Sequence, residues 1–319
     1  MVRFLLFRLG TLFLTLLAVS FVVFWVMNAL PGDPAMVILG LDATEDARLA
    51  LRRELGLDAP FLTRYLDWLG GVVTGDFGDS YSFGVPVAEL IVERLPVSAP
   101  LALIATAVTI VLALSLGVYA ASRHGRAGDI GVMALSQLGI AIPAFWLAII
   151  LIIVFAVNLR WLPAGGFPGW ERPGAALAAL ILPAVALALV QSAILARVTR
   201  SGVLEVMRLD YATTARAKGL SRGRVMRAHV LPNALVPIIT IIGLQFANLV
   251  TGTIVIENVY HLPGLGRLIF QAITNRDLFV VQGLVLFFAA VVVIVNFAVD
   301  ILYVVIDPRL RERRARSGP

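Results

Sequence analysis

Six stretches of this chain, at residues 9–29, 101–121, 130–157, 175–196, 233–256 and 278–299, run without a single Asp, Glu, Lys or Arg. Crossing the hydrocarbon of a bilayer takes roughly 20 apolar residues as a helix. The chain is therefore expected to be an all-α polytopic membrane protein with six transmembrane helices. Its composition agrees: 60% of the 319 residues are hydrophobic and 14% charged, with a mean hydropathy of +0.92, more apolar than a water-soluble domain needs for its core. The first run exceeds a secretory h-region of about 7–15 residues and lacks a clear small-x-small cleavage site, so it is expected to be retained as a span.

Orientation follows from the short segments beside the runs, because Lys and Arg there resist translocation. With both ends inside, Arg3, Arg8, Arg123 and Arg126 fall on the cytoplasmic side. So do the eight basic residues from Arg197 to Arg227 and the five from Arg309 to Arg316. Eleven acids lie between Asp33 and Glu93, on the outer side. The expected topology is a cytoplasmic membrane protein with N and C termini in the cytoplasm. A pI near 10.3 also suits nucleic acid, but these basic residues border apolar spans, where anionic headgroups account for them; the lipid bilayer is the expected partner and nucleic acid is not. There is no cysteine, which excludes disulfides, thiolate metal sites and cysteine nucleophiles.

The expected organisation is an N-terminal transmembrane helix in residues 1–30, an extracytoplasmic segment in 31–94, a five-helix block in 95–305 and a basic cytoplasmic tail in 306–319. The outer segment reads equally as a small folded cap or a spacer, with an amphipathic stretch at 61–73. Between the fifth and sixth runs, Leu268, Ile269, Ala272 and Ile273 share one helical face opposite Arg267, Gln271 and Asn275. Pro143, Pro183 and Pro237 lie in or near apolar runs, where proline kinks a helix and frees carbonyls.

The segment richest in chemistry is the cytoplasmic loop 209–232. Asp210 is placed to N-cap a two-turn helix over Tyr211 to Lys218, and Gly219 to end it in a left-handed conformation. So short a helix is marginal alone. Tyr211, Ala212, Ala215 and Leu220 offer a small, mostly apolar surface for a docking groove, and Arg216 and Lys218 can reach acidic groups or phospholipid.

Thr213-Thr214-Ala215, then Gly219, then His229-Val230-Leu231-Pro232 has the spacing of the EAA loop of ABC importer permeases, with Thr-Thr in place of the leading Glu-Ala and His229 in place of the usual Ile. The run Asp210-Tyr211-Ala212-Thr213-Thr214-Ala215-Arg216-Ala217-Lys218-Gly219-Leu220 resembles the form found in the dipeptide, oligopeptide and nickel permease family. Further segments are similar to that family: Leu30-Pro31-Gly32-Asp33-Pro34, Leu55-Gly56-Leu57-Asp58, Gly75-Asp76-Phe77-Gly78, Pro263-Gly264-Leu265-Gly266, Asn275-Arg276-Asp277 and Asp307-Pro308-Arg309. The long outer segment is like that of the B-type subunit, one of two permeases that pair.

The resemblance implies the type I ABC importer permease fold, a translocation path shared with a homologous second permease subunit, and an extracytoplasmic solute-binding protein that delivers peptide, or else nickel, glutathione or another small solute. It implies two cytoplasmic ATPase subunits or domains contacted through Asp210, Tyr211, Ala212, Ala215, Arg216, Ala217, Lys218, Gly219 and Leu220. The chain itself has no G-x-x-x-x-G-K-[ST], so ATP and Mg are expected on those partners, with no cofactor, metal or catalytic residue here. Polar residues in or beside the runs are the candidates for a pathway or gate: Gln137, Gln245, Asn248, Glu257, Asn296 and Asp300, several of which should face the bundle interior. Gly219-Leu220-Ser221-Arg222-Gly223 fits G-x-S-x-G but lacks the strand-turn-helix setting of a nucleophile elbow. His124, His229 and His261 sit on different loops and form no metal set. An intramembrane enzyme would need clustered catalytic groups at membrane depth, and a secondary transporter repeat halves or ionisable relays; neither pattern is present.

Overall fold

The computed structural model describes residues 2–29, 34–40, 43–54 and 56–306. The motif positions 30–33, Leu55, Asp307-Pro308-Arg309 and the basic tail lie outside the described residues. The helices, in order, are α1 (Val2–Ala29), α2 (Pro34–Leu39), α3 (Glu45–Glu54), α4 (Phe61–Thr74), α5 (Val87–Ser122), α6 (Ala127–Ala141), α7 (Ala144–Leu151), α8 (Pro173–Met207), α9 (Asp210–Ala217), α10 (Arg222–Val225), α11 (Leu231–Val259), α12 (Leu265–Thr274) and α13 (Leu278–Ile306). Two π-helical turns, Ile152–Asn158 and Met226–Val230, follow α7 and α10.

Five of these helices, α1, α5, α8, α11 and α13, are long and apolar enough to cross a membrane singly. The third expected span is not one helix. It breaks between α6 and α7 with a bend of 103°, so a sixth crossing exists only as a bent pair. The cause is Pro143: it has no N–H to continue the ladder, and its ring drives Ile142 to φ −89°, ψ 124°. Pro183 and Pro237, by contrast, remain inside α8 and α11.

Contacts group the chain into two compact units that are not contiguous in sequence. The first takes residues 1–98 and 263–293. Here α1 meets α4 through aromatic rings: Phe21 and Phe24 both stack edge-on against Phe61 and Tyr65, at centroid distances of 5.3–5.9 Å. The Ser20 and Tyr65 hydroxyls, both buried, are 2.9 Å apart. Apolar helix sides need no such polar match; its presence sets the rotation of α4 against α1. After α4, Gly75 ends the helix at φ 89°, and the chain turns back through a hairpin closed between Asp79 and Pro86.

The motif residues of this unit are structural keystones. Asp277, wholly buried, N-caps α13 by accepting from the Val280 N–H at 3.3 Å, while its other oxygen accepts from the Ser80 hydroxyl at 2.5 Å and the Ser82 N–H at 3.1 Å. The Tyr81 hydroxyl accepts from the Leu278 N–H at 3.1 Å. Gly264 precedes α12, whose Leu265 N–H donates to Ser98 at 2.8 Å. On α12, Leu268, Ile269 and Ala272 are buried; Ile273, at the edge of that stripe in the last turn, is exposed instead.

The second unit takes residues 99–262 and 294–319. Its centre is α8, against which α6, α7 and α11 pack. Alanines line the buried side of α8, Ala176, Ala179, Ala184, Ala186, Ala188, Ala193 and Ala196 among them. Lipid offers no hydrophobic drive between helices, so small residues that let backbones approach do the work of holding them. On α5, a Cβ at Gly117 would lie 2.6 Å from the Thr199 Cβ and 2.8 Å from the Ala196 carbonyl of α8. On α11, one at Gly243 would meet Val299 of α13 at 2.3 Å.

Candidate functional site

The loop 209–232 folds as a helix-turn-helix docked on the end of the α8/α11 pair. Backbone at Leu209 is extended, and Leu209, not Asp210, is the N-cap residue of α9. Asp210 occupies the first helical position instead, where its carboxylate complements the positive helix end. The helix ends one residue earlier than expected, at Ala217. Gly219 has φ +83°, the Leu220 N–H bonds the Ala215 carbonyl at 3.3 Å and the Gly219 N–H bonds that of Arg216 at 2.9 Å. These two bonds form a Schellman stop, which needs a residue without a Cβ penalty at Gly219.

The inner face of α9 is not available to a partner. Ala212 and Ala215 are buried in a core with Val203, Val206, Val225, Val230, Ala234 and Ile238, and Leu220 packs on it. The expected docking surface of Tyr211, Ala212, Ala215 and Leu220 is thus divided, because the chain's own apolar residues cover the alanines that a two-turn helix cannot leave in water. Arg216 closes the arrangement. Its guanidinium donates to the Met207 carbonyl at 2.6 Å and the Ala212 carbonyl at 3.3 Å, satisfying a carbonyl at the end of α8. Left outward are Asp210, Tyr211, Thr213, Thr214, Ala217, Lys218 and Gly219. The π-turn over Met226–Val230 leads into α11, where Leu231 bonds back five residues to Met226 just ahead of Pro232.

The pathway candidates are spread along three helices of the second unit. Gln137 on α6 is exposed and accepts from Arg197 at 2.7 Å. On α11, Gln245 is buried with neither amide atom hydrogen-bonded among the described residues, Asn248 is exposed and Glu257 is fully buried. Gln245 and Glu257 are about 18 Å apart along the helix axis, too far to share one site. Asn296 and Asp300 are half-buried on one side of α13. Gln245 and Glu257 are therefore buried within this chain, whereas Gln137, tied to Arg197 of α8, and Asn248 are exposed on it.

One polar cluster was not singled out by sequence reasoning. Asp129, 3% exposed at the start of α6, pairs with Arg200 of α8 in a bidentate bridge, one arm of which is 2.7 Å. The Gly125 N–H at 2.9 Å and His124 Nδ1 at 3.2 Å complete its shell. The available signal was an acid directly abutting an uncharged run, opposite an arginine that orientation alone had explained.

Single and broken apolar spans, with a short capped helix tied to the core of the second unit, define a multi-pass membrane protein. The same fold occurs in the MetNI methionine ABC transporter, with a TM-score of 0.58 over 68% of this chain and 96% of that one at 19% identity. The chain belongs to the binding-protein-dependent transport system inner membrane component family, whose model matches residues 113–312, and its N-terminal companion matches residues 1–102. Among curated relatives, a putative peptide transport system permease protein of Brucella abortus (strain 2308) is 46% identical over 297 residues, 93% of this chain and 95% of that one. The dipeptide transport system permease protein DppB of Escherichia coli (strain K12) is 36% identical over 339 residues, covering 98% and 100%. This protein is therefore an inner-membrane permease of the ABC importer class.

Proposed function

We propose that the chain carries small peptides inward across the cytoplasmic membrane as one of two paired permease subunits, with both termini in the cytoplasm. A solute-binding protein hands over the peptide outside, and two cytoplasmic ATPase subunits or domains, which bind ATP and Mg, drive the cycle. The names of the relatives support the peptide class. The residues given hold no phosphate-binding loop, which supports placing ATP on cytoplasmic ATPase subunits or domains.

The observation that carries the coupling role is the two-sided construction of α9. Its inner side is fastened to α8 and α11 by Ala212, Ala215 and Arg216, while Tyr211, Thr214 and Lys218 face out. A push on the outer side is passed to two spans without first melting the helix. The contact proposed for the ATPases is that outer side, with Asp210, Ala217 and Gly219 at its ends; Ala212, Ala215 and Leu220 act behind it. The test uses Gly219, around which a Cβ meets open space, so that only backbone strain is added. A β-branched residue there costs roughly 1–2 kcal/mol or more, whereas Asn tolerates the conformation. Gly219→Val should lower uptake of a labelled dipeptide at least fivefold and loosen retention of the ATPases on purification, and Gly219→Asn should do neither. Undiminished uptake by Gly219→Val at equal abundance removes α9 from the coupling route.

A further inference from the structure

Within the second unit α8 and α11 pack antiparallel, and two close approaches fix their register. A Cβ at Gly202 would stand 3.9 Å from the Ala234 carbonyl oxygen, and one at Gly252 would stand 3.0 Å from Leu187 Cδ2. Gln191 precedes Gly202 by eleven residues and Gln245 follows Ala234 by eleven, so each lies about 16 Å along its helix from that contact. Measured from the other contact the levels agree as well, once the Leu187 side chain is given its lean toward the start of α8. At about 100° per residue, Leu187, Gln191 and Gly202 fall within about 60° of one another on α8, and Ala234, Gln245 and Gly252 within about 20° on α11. The two amides are therefore level with each other on the facing sides of two packed helices.

Neither amide is satisfied there. Gln191 Oε1 and both amide atoms of Gln245 are buried without a hydrogen-bond partner among the described residues, and Gln245 is 5% exposed. The membrane interior has no water to make good the loss, and these atoms are closed to solvent. Leucine in either place would fill the seam at no polar cost, as Leu195 and Leu249 do one turn further along each helix. Two facing amides can satisfy each other, each donating an N–H to the other's oxygen, and here they do not.

α11 has the joint that a second arrangement requires. Pro237 lies between Ala234 and Gln245 and cannot donate to the Asn233 carbonyl, which weakens the helix at that turn. Ala234 and Ile238, on either side of it, belong to the core beneath α9. A push on α9 thus reaches α11 at its weak turn, about 12 Å along the axis from Gln245.

We infer that Gln191 and Gln245 form a latch, open in this conformation and closed by a reciprocal amide pair when a push on α9 pivots α11 about Pro237 into a second register against α8. The inference rests on the coupling role proposed above for α9, which Gly219→Val judges separately.

The full chain assembled with its partner permease and ATPases in nanodiscs, compared free of nucleotide and trapped with ATP and vanadate, tests the latch. Gln245→Leu and Gln191→Leu should each leave the nucleotide-free thermal midpoint unchanged or higher, because each removes orphan atoms, and should lower the midpoint of the trapped complex. Each should also reduce uptake of a labelled dipeptide at least fivefold with the ATPases still retained. The double variant should be no worse than either single one, because a pair is lost only once. A nucleotide-free midpoint that falls in both variants makes the amides a static tie, and losses of uptake that multiply make them independent; either result overturns the latch, as does unchanged uptake. If the wild-type assembly takes up no dipeptide, the peptide reading fails instead, and the two midpoints alone decide the latch.

Discussion

Single residues at the ends of helices carry much of the specificity of this fold. Asp129 and Arg200 join α6 to α8 through a buried bidentate pair, and removing one partner leaves the other's charge poorly solvated. Asp129→Ala should cost about 2–3 kcal/mol, seen as a lower thermal midpoint in detergent, with part regained in the Asp129→Ala, Arg200→Ala double variant. Full additivity of the two single losses would mean the pair does not act as a unit. Tyr81 makes a second case. Burial, with a lesser push from the Asp277 charge, outweighs the bond from Leu278 and raises the phenol to about 12. The folded state therefore holds this proton more tightly than the unfolded one, near 10. Its contribution is complete below pH 10 and is lost as the pH rises through about 12. A phenolate titration at 295 nm should show a late-ionising component that is smaller by one tyrosine in Tyr81→Phe; no difference between the two curves would refute the assignment.

Among the elements, close helix approach decides which spans touch. Gly117 admits the Thr199 side chain and the Ala196 carbonyl of α8 where any Cβ would overlap them. Gly117→Val should therefore destabilise by roughly 1–3 kcal/mol through overpacking, lowering abundance and thermal midpoint, while Gly131→Val, on α6 with nothing within 4 Å, should not. Equal midpoints for both would mean that α5 and α8 do not meet at this crossing. Element breaks obey local chemistry just as strictly. Pro143 divides one apolar run into two helices, yet Pro183 and Pro237 leave theirs continuous.

At the scale of the whole molecule, topology rests on where the basic residues lie. A reporter active only in the cytoplasm should report when fused after Arg126 and stay silent when inserted near Glu45; activity at Glu45 would reverse the orientation. The all-α class, the number of apolar runs and the short helix stopped at Gly219 could be read directly from residue order, because span length, charge exclusion and glycine's left-handed backbone are local properties. Family membership was legible for the same reason, as its motifs are short and continuous. Other features depend on residues far apart in sequence. Asp210 was expected to be a cap and is the first residue of the helix, since the cap is set by where the preceding chain leaves α8. Ala212 and Ala215 were expected to face a partner and face inward, because Val225, Val230 and Ile238 arrive from 10 to 26 residues later to cover them. The Asp129–Arg200 pair and the buried amide of Gln245 are likewise invisible along the chain. Each is made by groups that only helix packing brings together, and burial, which turns an ordinary Asp or Gln into a demanding one, is a property of that packing alone.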